Sequence, residues 1–592
     1  MTLAQPRNGK RERPKNAKGT LLRIVKYCIH NRAAFVFTLL LVLVSNTLSL
    51  LGPSLAGKAV GAASAGKGLV DFALVYKYAG GMLACYLASS VLSFLVNINM
   101  MRIGRVMGQK LREDVFRHMM ELPVSYFDRN QAGDIISRVS YDIDVMTTSM
   151  STDIVQILTS TVTITGSLIM MIVISPPLAA ITLITVPLAV FYTKHMNGKT
   201  RPLFSRRSAA YGKMNGFVEE KFSGVRTIQA YDREEQMGIE FAAINREAAQ
   251  AYEVATATAR RLGPSVGFIN NLSLALVGMV GSLLFLGGYA NLEKISSFVL
   301  YSRKFSGPIS EIANITNEIY SALAAAERVF RMLDEPSEIA DRENSTELTN
   351  VRGEVRLSDV SFGYTQERTI LKDIDLHAAP GQLIAIVGPT GAGKTTVINL
   401  LMRFYDTQSG DCLVDGRDMY GYTRESLRRA YAMVLQDTWL FRGTIYENIA
   451  YGKENATREE VVAAAKAARI HNYIMQLPNG YDTIISEDGG NISKGQKQLL
   501  TIARAMLYDA KMLILDEATS NVDTSTERHI QRAMRDLMAD KTCFVIAHRL
   551  STIQNADKIL VVDDGRIQES GTHEELMAKK GAYYKLYAAQ FE

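Results

Sequence analysis

Cysteine is scarce in this chain: its 592 residues include four, Cys28, Cys85, Cys412 and Cys543, and no two of them form a CxxC pair. The sequence therefore indicates neither a disulfide framework nor a zinc site. Low-complexity tracts are also lacking beyond the N-terminal tail. The net charge of +6 is small for this length, so a nucleic-acid partner is not indicated.

Positive charge is concentrated at the N-terminus, in residues 1–18. Its members are Arg7, Lys10, Arg11, Arg13, Lys15 and Lys18. An arm that binds nucleic acid is one interpretation of such a run. Because long apolar runs follow, we favour a cytoplasmic tail that orients the first membrane helix by the positive-inside rule. The first apolar run lacks a small-residue cleavage site and is too long for a signal peptide.

Six apolar runs in the first half are long enough to cross a bilayer, for which about 20 residues suffice. The predicted spans are about 33–57, 73–100, 153–174, 177–196, 265–289 and 294–322. An interfacial helix at about 19–32 precedes them. Short outer loops alternate with long charged helical excursions, which predicts that both termini lie inside. We therefore expect an α-helical transmembrane domain over 1–335, a polar linker over 336–352 and a soluble domain over 353–592.

The soluble domain has short Val/Ile/Leu runs between turns, alternating with helical patterns, which predicts parallel strands in an α/β fold. A glycine-rich octapeptide lies between the strand LIAIV and a predicted helix, the context that a phosphate-binding loop requires. It consists of Gly388, Pro389, Thr390, Gly391, Ala392, Gly393, Lys394 and Thr395, with Thr396 next. Lys394 should reach the β- and γ-phosphates of ATP, and the Thr395 hydroxyl should hold Mg²⁺.

Two carboxylates follow the apolar strand MLIL, about 120 residues after this loop. Burial of the strand delivers Asp516 and Glu517 to its exposed end. Asp516 is expected to support Mg²⁺, and Glu517 to polarise the attacking water as general base. The pair predicts an ATP-hydrolysing P-loop domain.

With these motifs in place, the second half resembles the nucleotide-binding domain of ABC transporters over essentially its whole length. The resemblance implies a role for each matching residue. Tyr364 should stack on adenine, and Gln436 should contact Mg²⁺. Ser493, Lys494, Gly495 and Gln496 occupy the signature position, Asp523 the D-loop and His548 the switch position near the γ-phosphate.

The first half resembles the six-helix transmembrane domain of ABC exporters. The resemblance implies short coupling helices within about 124–131 and near 225–231. It also implies an exporter of the multidrug type in the cell membrane, with its ATPase domain in the cytoplasm. Drugs, lipids and other amphipathic small molecules are all possible substrates. A lipid flippase, or a regulator or channel on the same scaffold, remains an alternative, whereas the apolar spans exclude a soluble ATPase.

The signature departs from the usual Leu-Ser-Gly-Gly-Gln, because Lys494 replaces a glycine. A glycine allows close backbone approach and unusual φ values, so Lys494 puts tight closure in doubt. Glu517 and His548 are intact. An intact catalytic set with an altered signature favours one subunit of a heterodimeric exporter, although a homodimer that tolerates the lysine remains open.

The sixth predicted span contains Arg303, Lys304 and Glu311. Ionisable groups at membrane depth usually face a cavity or another helix, so they indicate function by default. Two readings stay equally open for Arg303 and Lys304. They line the transport cavity, or they are paired or hydrated where the helix leaves the bilayer.

Overall fold

The structure is a computed structural model that describes residues 16–28, 32–64, 70–365, 367–435, 438–486, 491–516, 524–547 and 553–591. The chain divides into two compact units. The first comprises Met1–Leu122 and Arg129–Ser337, and the second comprises Pro123–Asp128 and Glu338–Glu592.

Long helices dominate the first 337 residues. In chain order they are α1 (Ala17–Cys28), α2 (Arg32–Ala63), α3 (Phe72–Glu121), α4 (Val124–Arg129), α5 (Ala132–Ser137), α6 (Ile143–Ile174), α7 (Pro176–Ser223), α8 (Val225–Ala230), α9 (Glu234–Arg260), α10 (Leu262–Leu286) and α11 (Leu292–Leu333). A π-helical turn at Arg138–Asp142 joins α5 to α6. The short helices α4 and α8 occupy the positions predicted for the coupling helices.

Within the described residues, five helical stretches are long and apolar enough to cross a membrane. They are Arg32–Ala63, Phe72–Glu121, Ala132–Ile174, Pro176–Ser223 and Glu234–Leu286. The sixth predicted span lies in α11, which is long enough but is not among the five. Arg303, Lys304 and Glu311 are among the charged residues that interrupt its apolar stretch. The predicted helical transmembrane domain is confirmed, and six spans remain a prediction.

Small residues bring the long helices into contact. Ser45 of α2 donates a hydrogen bond from Oγ to the Ser89 carbonyl of α3 at 2.9 Å, and its Oγ lies 2.7 Å from Ser93 Oγ. A Cβ added at Gly57 of α2 would come within 1.8 Å of Ser297 Oγ on α11. Close backbone approach and hydroxyl bonds of this kind hold helices together in lipid, where apolar burial provides little driving force.

The C-terminal half of α11 is anchored by an ion pair with a buried carboxylate. Asp142, in the π-helical turn, is 2% exposed and accepts hydrogen bonds from Arg328 Nε at 2.8 Å and Nη2 at 2.5 Å. This two-pronged geometry holds the π-helical turn against α11, because a planar guanidinium matches both carboxylate oxygens.

Helix α1 has one face against the protein and one exposed face. Ile24 is fully buried, and the Arg23 guanidinium binds both Asp334 oxygens, at 2.5 Å and 2.9 Å. Leu22, by contrast, is 68% exposed. A helix that lies on a membrane surface needs such an amphipathic arrangement, and the interfacial location of α1 remains a prediction.

The second unit contains strands and shorter helices. The strands are β1 (Val355–Phe362), β2 (Leu371–Ala378), β3 (Leu383–Val387), β4 (Ser409–Val414), β5 (Arg417–Asp418), β6 (Tyr431–Val434), β7 (Gly443–Thr444), β8 (Ile484–Ile485), β9 (Met512–Asp516), β10 (Thr542–Ile546), β11 (Lys558–Asp563) and β12 (Arg566–Gly571). The helices are α12 (Lys394–Leu401), α13 (Arg424–Arg429), α14 (Ile445–Ala450), α15 (Arg458–Ala467), α16 (His471–Gln476), α17 (Lys494–Tyr508), α18 (Thr524–Met538), α19 (His573–Lys579) and α20 (Ala582–Phe591).

The central sheet has the strand order β12-β11-β3-β10-β9-β6, in which only β12 pairs antiparallel. An antiparallel sheet, β2-β1-β4-β5, packs beside it. Alternate residues of β3 enter two different cores: Ile384 and Ile386 join the side with β1 and β2, and Ala385 and Val387 join the side with α17. Burial on both faces explains the unbroken apolar run LIAIV. The predicted α/β P-loop fold is confirmed.

Candidate nucleotide and substrate sites

The phosphate-binding loop connects β3 to α12 and depends on three glycines with positive φ. Gly388, Gly391 and Gly393 have φ values of +152°, +85° and +107°. A Cβ at Gly388 would lie 2.0 Å from the Val562 carbonyl oxygen, whereas one at Gly391 would meet nothing within 4 Å. The loop therefore packs tightly on β11 at its start and is open at Gly391. Such a loop leaves its backbone N–H groups available to phosphate oxygens at the N-terminus of α12.

Lys394, the first residue of α12, folds back over this loop. Its Nζ donates hydrogen bonds to the carbonyl oxygens of Gly388 at 2.8 Å and Pro389 at 2.9 Å. Burial lowers the pKa of Lys394 below that of a free lysine, and the negative charge of Asp516 partly opposes the shift. The ammonium group is therefore held where phosphate oxygens would meet it.

Asp516 ends β9 at the same edge of the sheet as the loop. Ile546 of the neighbouring strand β10 lies opposite Asp516 on one side and opposite Ile386 of β3 on the other. Ile386 is two residues before Gly388, so Asp516 is level with the start of the loop. The Thr395 side chain is exposed beside Lys394 on α12. A hydroxyl and a carboxylate oxygen are hard ligands of the type that Mg²⁺ prefers. The residues present thus fit a Mg²⁺ ion bound together with ATP.

Tyr364 presents a half-exposed ring and has its hydroxyl anchored to α12. Its Oη lies 3.2 Å from Thr396 Oγ1 and accepts a hydrogen bond from Asn399 Nδ2 at 3.1 Å. The Tyr405 ring packs edge-on against it, with the centroids 5.0 Å apart. An exposed, rigidly held ring suits stacking on a base. Sequence reasoning missed Asn399 and Tyr405, because a polar residue in a helix and an aromatic after it carry no distinctive signal.

The signature residues form the N-terminus of α17. Ser493 is the N-cap: its Oγ accepts a hydrogen bond from the Gln496 backbone N–H at 3.3 Å, and Gln496 Oε1 accepts one from the Ser493 N–H at 2.9 Å. Lys494 is exposed and has helical backbone geometry, and Gly495 is buried. The lysine therefore needs no unusual φ at this position, so only its side-chain bulk and charge bear on closure.

Four predicted site residues lie outside the described residues: Gln436, Glu517, Asp523 and His548. Two of these residues directly follow described residues that lie at the site: Glu517 follows Asp516, and His548 follows Ala547. The Ala547 N–H bonds the Ile386 carbonyl oxygen at 3.2 Å, which brings the end of β10 to the start of the phosphate-binding loop.

Polar groups also meet within the helical unit. Lys304 Nζ of α11 donates hydrogen bonds to Ser49 of α2, to the carbonyl oxygen at 2.6 Å and to Oγ at 2.5 Å. Glu311, farther along α11, accepts a hydrogen bond from Gln156 of α6 at 2.5 Å. Arg303 is exposed. Among the described residues, neither Arg303 nor Lys304 forms an ion pair with a carboxylate.

Comparison with known families and proteins agrees with this geometry. The family model "ABC transporter transmembrane region" matches residues 35–309, and the model "ABC transporter" matches residues 371–520. An uncharacterised ABC transporter ATP-binding protein of Bacillus subtilis, YfiC, is 42% identical over 586 residues, covering 98% of this chain and 96% of that protein. The chain belongs to the ABC transporter family.

Two further similarities narrow the class. A fatty acid ABC transporter ATP-binding/permease protein of Mycobacterium bovis is 45% identical over 524 residues, covering 88% of this chain and 82% of that protein. The structure of a bacterial Atm1-family ABC exporter with ATP bound matches with a TM-score of 0.77 at 30% identity, covering 95% of this chain and 98% of that one. This chain is thus an ABC exporter in which a transmembrane domain is fused to an ATPase domain, and ATP hydrolysis is coupled to transport.

Proposed function

We propose that this exporter moves an amphipathic molecule with an anionic head group, a fatty acid or a related lipid, across the cell membrane. The observation that carries the proposal is the adjacent pair Arg303 and Lys304 on α11. Lys304 donates to Ser49 oxygens and lies 5.5 Å from the centroid of the Tyr86 ring, and no described carboxylate pairs with either cation. Uncompensated cations at membrane depth are costly, so they usually bind a ligand or face a cavity. An anionic head group supplies negative charge that the described residues around this pair lack.

Similarity supports the same substrate class. One relative is named a fatty acid transporter, and another, 37% identical over 512 residues, is named an ATP-dependent lipid A-core flippase of Desulfotalea psychrophila. A lipid flippase is therefore a form of this proposal rather than its rival. Export of cationic or neutral drugs is the alternative to be tested.

The transporter reconstituted in liposomes tests the head group. We expect a long-chain fatty acid to stimulate ATP hydrolysis, and the alcohol or alkylammonium ion of equal chain length to stimulate it far less. Arg303→Gln and Lys304→Gln should each raise the half-maximal fatty acid concentration about tenfold, as expected for a lost hydrogen bond to a charged group. Lys294→Gln, at the start of the same helix, is the matched control. Equal stimulation by the alcohol would contradict the proposal.

For the ATPase domain, we propose the roles predicted from the sequence. The loop N–H groups and Lys394 bind the phosphates of ATP, and Thr395, Gln436 and Asp516 hold Mg²⁺, which neutralises developing charge. Glu517 orients the attacking water and His548 contacts the γ-phosphate. Glu517→Gln should abolish turnover while leaving ATP binding intact. Unchanged turnover in this variant would refute the assignment of the general base.

ABC exporters work as dimers, and we propose that this chain pairs with a different half-transporter. Lys494 supports the proposal, because its exposed ammonium group lies at the signature, where the family brings the partner's ATP. The ATP bound at Gly388–Thr395 would meet an ordinary signature and be hydrolysed efficiently. A tagged copy of the chain should co-purify with a second ABC half-transporter. Recovery of an active complex that contains this chain alone would show a homodimer instead.

A further inference from the structure

A network of ion pairs fastens the linker to the ATPase domain near the phosphate-binding helix. We call it the linker clamp, and its members are Glu338, Asp341, Arg403, Asp406, Arg424 and Arg428. Glu338 and Asp341 belong to the chain segment that follows α11. Arg403 lies just beyond the end of α12, and Arg424 and Arg428 belong to α13.

Arg428 joins the linker to the C-terminus of α12. Its guanidinium binds Glu338 through two hydrogen bonds, at 3.0 Å and 2.5 Å. The same group donates to the carbonyl oxygens of Met402 at 3.3 Å and Arg403 at 3.0 Å. These carbonyls lie just beyond α12, where a cation also interacts favourably with the helix dipole. A linker carboxylate therefore orients the side chain that caps the phosphate-binding helix.

Arg424 and Arg403 complete the network. The Arg424 backbone N–H donates to Asp341 at 3.0 Å, and its guanidinium donates to Asp406 at 3.2 Å. Arg403 is 3% exposed and donates to the Tyr422 carbonyl oxygen at 3.1 Å, with Asp406 and Asp341 at 3.4 Å and 3.5 Å. Such a buried cation is tolerable only with partners, and one of its carboxylates comes from the linker.

The segment Met402–Asp406 also reaches the base-binding side of the site. Tyr405 lies between two clamp members in sequence, and its ring packs on those of Tyr364 and Phe362, with centroids 5.0 Å and 5.5 Å apart. One short segment thus follows the phosphate-binding helix, carries the clamp and supports the ring expected to stack on adenine. A shift of the linker at Glu338 or Asp341 has a continuous path of contacts to both parts of the nucleotide site.

We propose that the linker clamp is a positioning device for ATP binding, which ties the geometry of the nucleotide site to the linker that follows α11. Its residues act through α12 and Tyr405 and do not touch ATP. The clamp also stabilises the domain, because Asp341 accompanies Arg403 and Arg424, whose side chains are 3% and 9% exposed. The proposal adds an effect on ATP binding, which the KM for ATP measures separately from stability. The proposal concerns the ATPase domain and does not depend on the proposed substrate or partner.

The test removes the linker charges and leaves the arginines in place. In the full-length transporter, Glu338→Gln with Asp341→Asn should raise the KM for ATP about fivefold while kcat changes less than about twofold, as expected for lost binding geometry. Hydrogen exchange of residues 394–406 should rise. The matched control is Glu343→Gln with Glu347→Gln, two exposed linker carboxylates for which the structure gives no partner. It should leave both measurements unchanged.

A carboxylate kept at position 338 should preserve ATP binding. With Asp341 intact, Glu338→Asp keeps a carboxylate and should give a KM nearer the original than Glu338→Gln does. This pair of single variants also serves if the double variant fails to fold. A KM and an exchange rate equal to those of the control would overturn the proposal. A lower melting temperature with an unchanged KM would overturn it too, because the clamp would then be structural only.

Discussion

The tight packing at the start of the phosphate-binding loop predicts that two glycine substitutions differ sharply. Alanine at Gly391 meets open space and incurs only the cost of positive φ, about 1–2 kcal/mol. Alanine at Gly388 has a similar backbone cost and also places its Cβ 2.0 Å from the Val562 carbonyl oxygen. Relieving this contact requires β3 to move away from β11, and such overpacking costs about 1–3 kcal/mol. The total loss of folding free energy for Gly388→Ala is then about 4 kcal/mol.

The melting temperature of the ATPase domain measures this difference without nucleotide, so that contacts with ATP do not enter. Trp439, the single tryptophan of the chain, lies in the second unit, and its fluorescence reports on that unit. For a domain of this size, about 3 °C per kcal/mol predicts a decrease of about 4 °C for Gly391→Ala and about 12 °C for Gly388→Ala. Equal decreases would refute the reasoning, because the contact with Val562 would then cost nothing.

The remaining predictions concern charge and reactivity. Lys494→Gly should about double the ATP turnover of an assembled pair by restoring its second ATP site. Unchanged turnover would contradict the proposal that Lys494 weakens that site. Burial lowers the pKa of Lys394 and bound phosphates favour its charged form. ATP affinity should therefore be highest below the pKa of Lys394 in the free enzyme and decline as the pH rises through it. An ATP affinity that does not change up to about pH 10.4, the ordinary lysine pKa, would contradict this. Burial raises the pKa of Cys412 and Cys543 to about 12, so iodoacetamide should label them at neutral pH only after unfolding.

The fold was predictable where local pattern and burial coincide. The run LIAIV is apolar because both faces of β3 are covered, and the glycines that follow are required by positive φ at Gly388, Gly391 and Gly393. Apolar runs long enough for a bilayer predicted the long helices. Charge in α11 made its span the hardest to recognise, since Arg303 and Lys304 interrupt the apolar pattern.

Contacts between distant residues were not predictable. Glu338 and Arg428 are 90 positions apart, and nothing in the local pattern of either indicates the other. The geometry at Lys494 was also hidden, because a glycine position suggests an unusual φ until the N-cap is known. Once Ser493 caps α17, the next residue is helical and any side chain fits the backbone.

The N-cap at Ser493 bears on how quickly two subunits can close. Its oxygen accepts the hydrogen bond from the Gln496 N–H, so the hydroxyl hydrogen remains available to donate to an anion. Gln496, in turn, fixes the Ser493 backbone from the other side. The signature is therefore ordered before any partner arrives, and little conformational entropy is lost when it meets nucleotide. With alanine in place of Ser493 the signature would be less ordered beforehand, so each closure would lose more conformational entropy. We expect the two subunits to associate more slowly and the signature to bind nucleotide more weakly.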